Sequence, residues 1–442
     1  MEESFLFGAI TLAFMLGLRR RLLLAVRDPT PGGAVILTST AYLVGATIVA
    51  WRTRNDMSSL VYTACAVFYF MYLLGFIGCS AFFRLRERAP EPRTIPEGSR
   101  GGHRTTKWVF FLVALLGCAA IVYVTGTDRL LAALFRFVFL GDASESVLDL
   151  RIGLSSGDER WMAPGYAKQL RDILMPLSGL LVLFAIRRKR SSFVLLALAL
   201  VPVIGLFMIS SGERGSVLLF LLAVIYIAAR AGRRDIQPAT IIIVPLVLAS
   251  LVAASTFFAL TSSFASRRDS EGSSTVLILA DRIVTRTPEE NVLGARIWSR
   301  GAPFPGAGWL SELASVMPGT QKVLSNLIHQ DLGGGDLGNS VLGTWTDIYY
   351  NFGWWLGLVA SFVVGVAIAL FNHWVNTVRA TSWSAEICGL WISICMLLVL
   401  SPFLFLLYGP FLLSVVLWVI QRSGRRQASA LSRVSAQAVR ET

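Results

Sequence analysis

Long apolar runs alternate with short charged punctuation along nearly the whole chain. The runs lie near 3–18, 33–51, 59–83, 108–126, 169–186, 192–209, 216–229, 238–259, 352–372, 383–403 and 406–421. Most have the ~17–25 residues with which an α-helix crosses a hydrocarbon core. Lipid offers no partners to backbone N–H and C=O groups, so such a run must satisfy them internally, as a helix. The pattern predicts an all-α integral membrane protein with about eleven transmembrane helices. The run at 216–229 is short, and the pair at 383–421 also reads as one broken hairpin around Ser401-Pro402.

Two stretches depart from this pattern. Residues 127–168 and 260–351 are long, polar and mixed in charge, and the second contains Pro, Gly, Trp and apolar patches. Loops of such length are seldom structureless, so short helices at the membrane surface are expected in them. The predicted organisation has six parts. N-terminal spans occupy 1–126, with a Pro-, Arg- and Gly-rich linker at 84–107, and a first large loop follows at 127–168. Central spans fill 169–259 around a tight turn at 210–216, and a second large loop covers 260–351. C-terminal spans run over 352–421 and a basic tail over 422–442.

Charge orients this arrangement. Threading the spans puts 24 Lys and Arg with seven Asp and Glu on one side, leaving 16 basic and 20 acidic residues for the other. Short loops on the cytoplasmic side of a membrane collect Lys and Arg. The basic side is therefore read as cytoplasmic, with the N-terminus and both large loops outside and the C-terminus inside. The first apolar run is followed by Arg19-Arg20-Arg21 and not by a small-residue cleavage site, so it reads as a span.

Composition agrees: the chain is 55% hydrophobic and 15% charged, well below the charge of a soluble domain. The net charge of +13 would suggest nucleic acid in a soluble protein. Here it is absorbed by the short loops, and no nucleic-acid partner is expected. All five cysteines, Cys65, Cys79, Cys118, Cys388 and Cys395, sit inside apolar runs, which argues against a disulfide framework or a zinc site. His103 and His373 read as cytoplasmic loop residues, leaving His329 as the external histidine; one histidine makes no metal site. No metal and no cofactor is expected.

Chemistry is expected where ionisable residues stand at the ends of spans. In Ser210-Ser211-Gly212-Glu213-Arg214-Gly215-Ser216, Arg214 stands at the start of a helix that descends into the membrane. Free backbone N–H groups and a guanidinium converge there and suit a phosphate; an interfacial Arg paired with Glu213 is the plainer reading. Arg151 in the first large loop and Arg282, Arg286, Arg296 and Arg300 in the second are external basic residues that orientation does not explain. Some should pair with acids such as Asp269, Glu289 and Glu290, while others are candidate anion ligands. The Gly-rich stretch from His329 to Ser340 lacks the Lys-Ser/Thr of a P-loop and reads as a lid or a close-approach backbone. Asp347, just before a span, is a candidate partner for an arginine or a base. Trp309, Tyr349 and Tyr350 read as interface anchors or as surfaces for a sugar ring.

Together these segments resemble the Wzy-type polysaccharide repeat-unit (O-antigen) polymerases of bacteria. The resemblance lies in the Gly212-Glu213-Arg214-Gly215 turn, and in the late loop with Asp281-Arg282, Gly308-Trp309-Leu310 and Met317-Pro318. It continues in Ser340 to Gly343 and Asp347-Ile348-Tyr349-Tyr350-Asn351-Phe352-Gly353, leading into a Gly-rich span. It implies a metal-independent GT-C-type glycosyltransferase in the bacterial cytoplasmic membrane. The substrates would be polyprenyl-diphosphate-linked oligosaccharides drawn from the membrane lipid, and a chain-length regulator is an implied partner. Arg151, Arg214 and Arg282 would neutralise the departing diphosphate, and Asp347 or His329 would serve as base. Arg296, Arg300, Trp309, Tyr349 and Tyr350 would bind substrate. A glycan ligase of the same superfamily and a lipid-linked glycan flippase remain the alternatives.

Overall fold

The computed structural model describes residues 2–86, 115, 173–186, 219, 220, 222–224, 226, 284–314, 324–333, 343–398 and 409–423. Outside them lie the sequence-predicted spans at 192–209 and 238–259, nearly all of the span at 108–126, the loop 127–168 and the turn 210–216. Most of the linker and of the basic tail also lies outside.

Every regular element among the described residues is helical. The N-terminal part holds α1 (Glu2–Arg27), α2 (Pro31–Thr53) and α3 (Asp56–Arg86), followed by α4 (Met175–Ile186). The described part of the second large loop holds four short helices: α5 (Arg286–Leu293), α6 (Ala295–Trp298), α7 (Ala307–Ala314) and α8 (Leu324–Asp331). Then come α9 (Thr344–Arg379), α10 (Trp383–Cys395) and a 3-10 turn at Met396–Leu398. A further apolar helix, α11, spans Gly409–Ser423. Among the described residues, three helices, α2, α3 and α9, are long and apolar enough to cross a membrane.

Local chemistry explains the ends of these helices. Thr30 caps α2 by accepting from the Gly33 N–H at 3.1 Å, and Pro31 starts the helix where a missing N–H costs nothing. Arg54 ends α2 in a left-handed conformation, φ 48°. Asn55 then caps α3, accepting from the Ser58 N–H at 2.7 Å while Ser58 Oγ accepts from the Asn55 N–H at 3.3 Å. This reciprocal cap makes the α2–α3 hairpin tight.

Two boundaries differ from the sequence-based reading. The triple arginine at 19–21 does not end the first helix; α1 continues to Arg27. Arg and Leu are good helix formers, and nothing breaks the run before Asp28-Pro29. His373, expected in a loop, lies inside α9, where its ring stacks on Phe83 with centroids 4.4 Å apart. Mild local polarity does not stop a helix that has a neighbour to pack on.

The described residues fall into two compact units. The first contains α1–α3, α5–α8 and nearly all of α9. Its core is aromatic, with Tyr62, Phe68, Tyr69 and Tyr72 of α3 packed on Trp345 and Ile348 of α9. Hydroxyls inside this core bond across helices: Thr11 to Thr47 at 2.7 Å, Thr40 to Tyr69 at 2.9 Å, and Tyr62 to the Phe7 carbonyl at 2.8 Å. Helices α3 and α9 meet backbone to backbone. A Cβ on Gly75 would strike the Phe362 carbonyl, and one on Gly365 would strike the Tyr72 carbonyl. Small residues permit such an approach, which packs membrane helices where the hydrophobic effect between them is weak. The second unit contains α4 and most of α10 and α11. There the Trp391 indole donates to the Ile173 carbonyl at 3.0 Å, and the Cys388 thiol lies 3.6 Å from the Leu413 carbonyl.

Candidate functional site

Helix α9 begins eight residues before the predicted span and is bent. Gly353 has φ 63° and ψ −161°, a backbone conformation open to glycine alone, and it interrupts the helix. The expected boundary between loop and span at 351/352 is therefore a break within one long element. The short arm from Thr344 to Phe352 stands before it, and the apolar arm follows. Carbonyls beside an interrupted helical ladder need donors from elsewhere. Here the segment between α6 and α7 supplies them: the Ala302 N–H donates to the Tyr350 carbonyl at 2.8 Å, and the Gly306 N–H to the Asn351 carbonyl at 2.9 Å.

Side chains complete the joint. Asp347 is 1% exposed. Its Oδ2 accepts from the Trp309 indole at 2.9 Å, and its Oδ1 from the Asn351 amide at 3.1 Å. The Asn351 Oδ1 in turn accepts from the Trp309 backbone N–H at 3.1 Å. A Cβ on Gly308 would come within 2.8 Å of that same Oδ1, so the glycine is what lets α7 sit this close.

One turn along α7 from Trp309 stands Glu312, 4% exposed. Burial, and secondarily the Asp347 charge, push its pKa from 4.5 up to about 8. Two carboxyls thus face one buried space, and Glu312 holds its proton at neutral pH. This has a measurable consequence. Below about pH 4.5 both the folded and the unfolded chain carry the proton. As pH rises towards 8 the unfolded chain releases it while the folded one retains it, so stability falls across that interval. Glu312→Gln is expected to flatten the melting temperature over this range and to raise stability at pH 8 by on the order of 1–3 kcal/mol. Thermal denaturation of the purified protein at several pH values checks it.

A second polar node braces the first arm. Asn291 on α5, 1% exposed, accepts from the Thr346 hydroxyl at 2.6 Å and the Gly343 N–H at 3.4 Å. Its carbonyl accepts from the Trp298 indole at 2.7 Å. Tyr349 packs edge-on against Trp298 and Trp354, with centroids at 5.1 and 5.3 Å.

Of the residues singled out from sequence, Asp347, Trp309, Tyr349 and Tyr350 converge on this joint. Arg296 lies apart, exposed and paired with Asp331 at 3.6 Å; Arg300 is exposed and His329 half-buried on α8. The acids Glu289 and Glu290 pair with Arg52 and Arg286 at 3.7 and 2.7 Å, in line with the expectation that these acids pair with arginines. Arg151, Arg214 and Arg282 lie outside the described residues. Sequence reasoning missed Glu312, Asn291 and Thr346, and it gave Asn351 no role. The one sequence signal for Glu312 was its i+3 spacing from Trp309, which puts both on one helical face.

No family model, no curated protein and no solved structure matches this chain.

Proposed function

We propose that this protein is a membrane glycosyltransferase that polymerises lipid-linked oligosaccharide repeat units, with about eleven spans and its N-terminus and large loops on the outer face of a bacterial cytoplasmic membrane. One observation carries the reading. Two segments on which the family resemblance rests, Gly308-Trp309-Leu310 and the run from Asp347 to Gly353, meet in a direct hydrogen bond across 38 residues of chain. Residues far apart along the sequence thus form one joint between a short helix of the second large loop and a bent, membrane-competent one.

In this reading an acceptor hydroxyl attacks the anomeric carbon of the growing glycan. The bond from that carbon to the polyprenyl diphosphate breaks, and the diphosphate leaves with the electron pair. Arg151, Arg214 and Arg282 neutralise the charge that develops, and the hydroxyl proton passes to a base, for which His329 on α8 is the half-buried candidate. Asp347 is held by two donors and shielded from solvent, so we assign it to positioning: it fixes α7 and the late loop over the end of α9. Arg296, Arg300, Tyr350 and the Trp309 ring are the candidate contacts for glycan. A chain-length regulator is the proposed protein partner.

Deletion of the gene with electrophoretic profiling of surface glycan tests this. Loss of long polymer with retention of single-repeat product is expected; loss of all surface glycan, or an unchanged profile, would overturn it in favour of a ligase, a flippase or another role. In the complemented strain, Arg214→Ala is expected to abolish elongation at unchanged protein level. Arg214→Lys is expected to stay poor, because a point charge does not replace the bidentate guanidinium.

A further inference from the structure

The segment between α6 and α7 shows apolar groups to its surroundings although it lies outside the three membrane-competent helices. Phe304 is 55% exposed and Leu310 56%, and Pro303 and Pro305 flank Phe304, also exposed. From Gly301 to Leu310 no residue carries a charge. In water such a stretch would be an unfavourable surface.

Most of its backbone amides already have partners within the protein. Pro303 and Pro305 have no N–H to satisfy. The amides of Ala302 and Gly306 donate to the Tyr350 and Asn351 carbonyls, and those of Ala307 and Leu310 to the Phe304 and Gly306 carbonyls. The Trp309 amide donates to the Asn351 side chain. Non-helical backbone is tolerated at membrane depth where the protein itself satisfies it in this way.

Its position points to the occupant. The bonds to Tyr350 and Asn351 hold the segment against the bend in α9. Directly past the bend that helix turns outward its most exposed aromatic residue, Trp355 at 83%, followed by Leu356, Val359 and Val363. The segment is thus bonded to α9 at Tyr350 and Asn351, a few residues before this exposed apolar stripe. We propose that Ala302–Leu310 is a lipid-embedded wedge: Phe304 and Leu310 insert at the boundary of headgroups and acyl chains, in the leaflet at the Thr344 end of α9. The bilayer is the partner, recognised by an uncharged aromatic and proline surface most of whose amides are already satisfied. The proposal does not depend on the glycosyl-transfer reading.

The test uses the full chain in phosphatidylcholine vesicles, with a photoreactive benzophenone amino acid in place of Phe304. The same residue replaces Val359 as the inserted reference and exposed Arg296 as the aqueous one. After illumination, intact-mass spectrometry is expected to show lipid adducts at positions 304 and 359 and none at 296. Adducts at 359 without adducts at 304 would overturn the proposal, as would a crosslink from 304 to a second copy of the protein. As a second measurement, a nitroxide on Phe304→Cys is expected to collide more readily with oxygen than with a water-soluble nickel complex. The reverse order would overturn the proposal even if the benzophenone variant failed to fold.

Discussion

Asp347→Ala is expected to destabilise the protein by about 2–5 kcal/mol, through loss of hydrogen bonds to a charged, buried acceptor, and, under the proposed function, to abolish long surface glycan. The substitution removes the carboxylate that the half-buried Trp309 indole and the buried Asn351 amide both address, leaving the amide its bond to the backbone carbonyl of residue 347. It also removes the charge that helps to keep Glu312 protonated, so the pH profile should shift at the same time. Asp347→Asn separates the contributions. One amide oxygen still accepts, while the amide NH2 meets a donor, so roughly half of the stability loss is expected. The charge effect on Glu312 is lost entirely. Thermal melts at two pH values and a glycan gel for each variant give the answer. Wild-type stability in Asp347→Ala would show that the joint does not hold α7 to α9.

Gly365→Val and Gly75→Val are expected to lose most of the folded protein, while Gly78→Ala on the same helix is expected to be neutral. At Gly365 and Gly75 the atoms that a Cβ would strike are backbone atoms of the facing helix, which cannot rotate away as a side chain can. Opening the α3–α9 contact to admit a methyl or larger group costs about 1–3 kcal/mol or more. It also displaces the aromatic residues packed around the crossing. Gly78 has nothing within 4 Å of its Cβ position. Monodisperse yield by size-exclusion chromatography, followed by a melt in the same detergent, reads the difference. Equal yields for Gly78→Ala and Gly365→Val would refute the close approach.

Much of the architecture was legible from run length alone. A continuous apolar stretch of that length satisfies its own backbone as a helix, so α2, α3 and α9 are legible in the sequence. The turn-rich composition of 260–351 likewise announced short helices, and four occur there among the described residues. Boundaries were less legible. At Arg19–Arg21 and at His373, polarity marked where a span was expected to end, but helix propensity and packing carry the helix further.

The sequence by itself determined the helical class, the presence of membrane-competent helices, and the stretches dense in groups able to do chemistry. Those are properties of local composition and period, and they do not need distant partners. Only the tertiary structure decided that Trp309 reaches Asp347, that Glu312 is buried beside it, and that α3 and α9 touch at Gly75 and Gly365. A proton affinity near pH 8 depends on which charge and how much water surround the carboxyl, and neither is encoded within a few residues of Glu312. The bend at Gly353 shows the same division: any glycine permits that conformation, but only the donors arriving from Ala302 and Gly306 make this one worth adopting.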